Sequence, residues 1–115
     1  MLAHETPIAF YQMPGSGREP VREFLDALDA PEQKAVRKGL AALRKLWPAI
    51  GMPRVRKFEA ELWELRCRVA VGYVRVFFTF ADGRLVLLHG FVKKSDDTPA
   101  PDKQVARKRR DDVLS

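Results

Sequence analysis

Six cations and one carboxylate in the second half of this chain could do chemistry together: Lys57, Arg66, Arg68, Arg75, Lys93 and Lys94, with Glu64 among them. Most fall in three segments, Leu62-Trp63-Glu64-Leu65-Arg66, Arg75-Val76-Phe77-Phe78 and His89-Gly90-Phe91-Val92-Lys93-Lys94. These segments alternate polar and apolar residues as sheet strands do. Side chains along a strand point to alternate faces. In the first strand Trp63, Leu65, Cys67 and Val69 share one face, and Glu64, Arg66 and Arg68 share the other. In the second, Val74, Val76, Phe78 and Phe80 form an apolar face, which leaves Tyr73, Arg75, Phe77 and Thr79 opposite. The expected sheet has one apolar side and one open side studded with arginines. Fixed guanidinium groups suit phosphate best, because their planar forks match its oxygens.

A phosphate held by cations allows RNA to be cut without a metal. The 2′-hydroxyl of RNA attacks the adjacent phosphorus, so the protein supplies no covalent nucleophile. It must orient the phosphate, stabilise the extra charge that develops, and move protons. Arginines do the first two, and a lysine among other cations can do the third. Each cation alone reads equally well as solvated surface; their shared face is the argument. Other chemistries find little support. The chain has two histidines, His4 and His89, and one cysteine, without a zinc, calcium or phosphate-loop motif. No metal and no cofactor is expected. By parity Cys67 faces the core and reads as a packing residue. The same parity sets His89 beside Leu85, Leu87, Phe91 and Lys93, either as a structural histidine or as a phosphate contact.

Positioning these residues takes a small sheet and its cover. Residues 7–13 read as a short strand, and Pro14-Gly15-Ser16-Gly17 as a turn. Val21, Phe24, Leu25 and Leu28 make a helical stripe behind Pro20. Asp29 and Pro31 start a second helix, whose stripe of Val36, Leu40, Leu43 and Trp47 stops at Pro48. Strands follow at 54–58, 62–69, 73–81 and 85–93, with Asp82-Gly83 as a hairpin turn. Residues 102–114 hold few apolar side chains and read as a short charged helix or a frayed tail. The expected fold is α+β: two N-terminal helices packed on one face of a small, twisted, mostly antiparallel sheet.

The 115 residues fit a single domain, 1–115. No apolar run is long enough to span a membrane, no secretory signal is evident at the N-terminus, and a lone cysteine suits a reducing cytoplasm. The net charge of +6 is concentrated: residues 52–94 hold nine Lys/Arg against four Asp/Glu. Such an excess fits nucleic acid, an acidic membrane surface or an acidic protein. Arg107, Lys108, Arg109 and Arg110 form a second basic cluster, expected to add affinity for a large anionic partner.

At these residues the chain also resembles a known family. Gly51-Met52-Pro53, Lys57, Leu62-Trp63-Glu64-Leu65-Arg66, Arg75-Val76-Phe77-Phe78, Leu87-Leu88-His89-Gly90-Phe91-Val92-Lys93-Lys94 and Thr98-Pro99 look like the phage-derived HigB-like branch of the RelE toxin superfamily. Phe10-Tyr11 and Pro20-Val21-Arg22-Glu23-Phe24-Leu25 fit the same pattern. The resemblance implies a type II toxin that cleaves mRNA on the translating ribosome and a cognate antitoxin, usually with a helix-turn-helix domain. Matching positions point to Arg66, Arg75 and Lys93 or Lys94 as catalytic, and to Lys57 as a further phosphate contact. Arg68, Glu64 and His89 are the remaining candidates for contact with RNA. Some relatives use a C-terminal tyrosine, and the tail after Lys94 has none. Relatives that act on DNA gyrase share the scaffold, so a non-enzymatic toxin and a non-toxic nucleic-acid-binding protein are the alternatives. The antitoxin is expected to block the fit to the ribosome rather than to occupy Arg66 and Arg75. The helices at 20–29 and 31–47, or an edge strand at 7–13 or 54–58, offer it a surface.

Overall fold

The structure, a computed structural model, describes residues 4–70, 72–93 and 98–115. Lys94 lies outside the described residues. The elements run β1 (Ile8–Phe10), α1 (Pro20–Asp26), α2 (Ala30–Leu46), β2 (Val55–Glu59), β3 (Leu62–Val69), β4 (Gly72–Ala81), β5 (Arg84–Lys93) and α3 (Ala100–Leu114). The strands form one sheet in the order β1-β5-β4-β3-β2. β1 joins β5 in parallel, and every other pairing is antiparallel. β1 and β2 are thus the edges, as anticipated.

Local chemistry accounts for the boundaries. Pro20 opens α1, where its fixed φ and missing N–H cost nothing. Asp29 and Glu32 start α2 as a reciprocal cap: Glu32 N–H donates to Asp29 Oδ1 at 2.8 Å, and Asp29 N–H donates to Glu32 Oε1 at 3.1 Å. Asp82 and Gly83, with φ of 52° and 73°, make the two-residue turn between β4 and β5. No described helix is long and apolar enough to cross a membrane.

The first core lies between α1, α2 and the sheet. Val21, Val36 and Leu43 from the helices meet Leu65, Cys67, Val74, Val76, Phe78, Leu85 and Leu87 from the strands. Trp47 closes one end, with its ring edge-on to Trp63 at 4.9 Å between centroids. Two close approaches need glycine. A Cβ on Gly90 would meet Phe24 Cδ2 at 2.5 Å, and one on Gly39 would meet Cys67 Sγ at 2.6 Å. Cys67 is buried as expected, and burial pushes its thiol up to about 12, so it is no nucleophile at neutral pH.

The other face corrects the expectation of an open surface. Residues 100–114 are a continuous helix that packs on β4 and β5. Ala106 and Val113 meet Tyr11, Leu62, Phe77, Val86 and Leu88 there, in a second core. The sheet therefore lies between helices on both sides. Polar contacts do much of the fastening. Tyr11 donates to Asp112 at 2.7 Å, and burial together with that carboxylate holds its phenol above the ordinary range. Arg109 donates to the Leu88 carbonyl at 2.8 Å. Arg107 and Arg110 both bind Glu59, at 2.7 Å each, and their hydrogen bonds lower the Glu59 carboxyl. Three members of the tail cluster are thus engaged in holding α3, while Lys108 is exposed with no ion pair among the described residues.

One prediction follows for this helix. Glu59→Gln should weaken its docking by about 0.5–1 kcal/mol, since exposed ion pairs are weak but this one is a network. Amide exchange should speed up several-fold in α3 and much less in β4. Equal acceleration in both would mean that the network does not act on the helix.

A candidate nucleic-acid interface

Strand register brings most of the candidate residues into a compact grid on the α3 face. Along β3, β4 and β5, Glu64 pairs with Phe77 and Phe77 with His89. In the next row Arg66 pairs with Arg75 and Arg75 with Phe91; in the last, Arg68 pairs with Tyr73 and Tyr73 with Lys93. β2 adds Arg56 beside Glu64. Exposure rises across the rows. Glu64, Arg75 and Phe77 are wholly buried, Arg66, Tyr73, Phe91 and Lys93 are half-buried, and Arg68 is exposed.

Two arginines directly opposite on paired strands are a costly arrangement, because like charges repel there. Several contacts offset the cost. The Tyr73 ring lies 4.7 Å from Arg66 Cζ and 5.6 Å from Arg75 Cζ, within cation–π range of both. Glu64 Oε2 is 3.7 Å from Arg75 Nη1. Thr98, just ahead of α3, relays between them: Arg75 donates to its hydroxyl at 3.3 Å, and the hydroxyl donates to Glu64 Oε2 at 3.2 Å. Glu64 Oε1 is buried without a hydrogen-bond partner among the described residues. A buried carboxylate in this position holds Arg75; it does not face solvent to bind RNA.

His89 departs from its expected neighbours. A bulge between Phe77 and Phe78 in the β4–β5 pairing shifts the register, so Leu88 and His89 fall on the same face. Leu85 and Leu87 belong to the first core, whereas His89 stacks against Phe91 at 6.0 Å on the α3 side. Its Nε2 lies 2.6 Å from Asp102 Oδ1 in the first turn of α3. The contact ties the helix to the sheet beside the grid.

Lys57 is the candidate that the fold separates from the rest. It pairs with Trp63, on the face of the first core, with Nζ 5.6 Å from that ring. Arg56, paired with Glu64, is the β2 cation on the arginine side, and sequence reasoning missed it. Parity from the buried Val55 would have found it. Tyr73 was on the correct face in the sequence but carried no role. Thr98 and Asp102 could not be found locally, since their contacts reach back to Glu64 and His89. Among the described residues no group of His, Cys, Asp and Glu side chains is arranged to hold a metal.

The grid can hold an anion against Arg66, Lys93 and Arg68 at the end of the sheet beyond α3, with Arg75 as a fixed positive charge behind them. Among curated proteins none is significantly similar to this chain. The family model described as Phage derived protein Gp49-like (DUF891) matches residues 23–111, which include α2, four of the five strands and most of α3. With that match spanning most of its length, the chain belongs to the phage-derived Gp49-like family.

Proposed function

We propose that this protein is the toxin of a type II toxin–antitoxin system, of the HigB-like RelE kind, and that it cleaves mRNA on the ribosome. The observation that carries the reading is the direct pairing of Arg66 with Arg75 across β3 and β4, flanked by Lys93 and Arg68. Such a cluster suits a phosphate that gains charge in the transition state. Membership of a phage-derived family and the resemblance of its Glu-Leu-Arg and Gly-Phe-Val-Lys-Lys segments support it.

In this reading the half-buried Arg66 grips the scissile phosphate. Arg75 contributes field from beneath, and Glu64 and Thr98 fix its place. The 2′-hydroxyl loses its proton and bonds to phosphorus; the bond to the 5′-oxygen breaks, and that oxygen takes up a proton. Lys93 serves this proton transfer, with Lys94 as its neighbour in sequence. The products are a 2′,3′-cyclic phosphate and a 5′-hydroxyl. The partners are the ribosome, mRNA and a cognate antitoxin of helix-turn-helix type, and the site of action is the cytoplasm.

The complete burial of Arg75 is the observation that favours the second reading, a non-enzymatic toxin acting on a protein such as DNA gyrase. Induced expression in bacteria separates the two. The nuclease reading expects growth arrest with fragmented mRNAs. Arrest with intact mRNA, and gyrase inhibition unaffected by loss of Arg66, would support the other.

A further inference from the structure

At the end of the sheet beyond α3, β3 outruns its neighbour. β2 pairs with β3 only as far as Val55 opposite Leu65, and the Arg54 carbonyl accepts from Arg66 N–H at 2.7 Å. Past that point Cys67, Arg68 and Val69 pair only with β4. A cavity of about 340 Å³ opens between this rim and α2. Lys38 and Gly39 of α2, Arg54, Arg66, Arg68 and Tyr73 line it. Gly39 and the neutral thiol of Cys67 form its floor, where any larger side chain on α2 would collide with the sulfur.

Among the described residues the lining carries four cations and no carboxylate. Elsewhere Arg18, Arg22, Arg44, Arg107 and Arg110 each lie beside an acidic side chain. Among the described residues no ion pair engages Lys38, Arg54 or Arg68. Lys38, Arg54 and Arg68, from three separate segments, thus converge on one concavity, which is the arrangement an anionic ligand completes. Arg66 belongs both to this cavity and to the grid, so the two surfaces are contiguous.

We propose that the rim cavity binds a backbone phosphate of single-stranded RNA, the neighbour of the phosphate placed at Arg66, with Lys38 and Arg54 as its ligands. The proposal rests on the reading of the grid as an RNA site, and it fixes the direction in which the strand leaves: over the β3 rim toward α2.

The test uses the full chain and a short fluorescent oligoribonucleotide, with binding followed by anisotropy over a range of salt. Lys38→Gln with Arg54→Gln removes two exposed charges from the rim. Lys34→Gln with Lys45→Gln removes two exposed charges from α2 outside the cavity. The rim pair should weaken binding and flatten the plot of log affinity against log salt by about 0.7, the value for one phosphate contact on a single strand. The control pair should leave the slope unchanged. Equal slopes for both pairs, no binding by the unsubstituted protein, or a loss seen with ribosomes and not with the oligonucleotide would each overturn the proposal. mRNA from cells expressing the same proteins keeps the two claims apart. Cut mRNA with equal slopes removes the rim site and leaves the nuclease; a flattened slope with intact mRNA does the reverse.

Discussion

Arg75→Ala should destabilise the fold by about 3–5 kcal/mol, the usual cost of removing one partner of a buried ion pair. Both members of this pair are wholly buried, with Arg75 Nη1 3.7 Å from Glu64 Oε2 and the Thr98 hydroxyl between them. Without the guanidinium, Glu64 keeps a desolvated carboxylate whose hydrogen-bond partner among the described residues is Thr98. A domain of this size has about 5–15 kcal/mol of stability in all, so the variant should sit near the edge of folding. The urea midpoint should fall sharply with little change in slope. Arg75→Met combined with Glu64→Leu should recover much of the loss, because an apolar pair of similar volume needs no charge partner. It should not recover RNA cleavage. A single variant within about 1 kcal/mol of the unsubstituted protein would show that the pair does not hold this end of the sheet.

Arg66→Ala should do the opposite: leave the fold standing and remove the activity. Arg66 is half-buried at the margin of α3, and its guanidinium rests on the Tyr73 ring. Its loss also relieves the repulsion from Arg75 across the strand pair. The urea midpoint should stay close to that of the unsubstituted protein. Cleavage should fall by about 100- to 1000-fold, the effect of removing one contact that stabilises charge in a transition state. Arg66→Lys should restore little, because a point charge does not reproduce the planar fork. Undiminished cleavage by a folded Arg66→Ala protein would take Arg66 out of the site. The contrast between the two arginines is the informative result, since the sequence alone had given them the same role on an open face.

That contrast shows what the sequence could and could not reveal. Strand parity in β3 and β4 was readable because both are regular and one face is apolar; it put Glu64, Arg66, Arg68, Tyr73 and Arg75 together correctly. The Asp29 cap and the Asp82-Gly83 turn were readable because their chemistry is local. In β5 parity failed at the bulge, where one extra residue carries His89 to the face of Leu88, and nothing in a run of apolar residues marks such a shift. Helix α3 was underestimated because so few of its residues are apolar. Its docking depends on Tyr11, Glu59 and Leu88, all distant in sequence. Glu64 and Arg75 are tied to Thr98, just ahead of that helix, and this contact is equally distant in sequence. Lys57 was placed by its charge and its match to the family pattern, while its pairing with Trp63 decides its face.

A grid that cuts RNA through the 2′-hydroxyl leaves its signature in the chemistry of the new ends. Purified protein would be added to ribosomes halted on a defined mRNA, and the fragments examined for their termini. Cleavage on the ribosome is expected, with a 2′,3′-cyclic phosphate or its opened product upstream, a 5′-hydroxyl downstream, and loss of all of these with Arg66→Ala. Intact mRNA, or fragments that end in a 3′-hydroxyl, would contradict cleavage by this route.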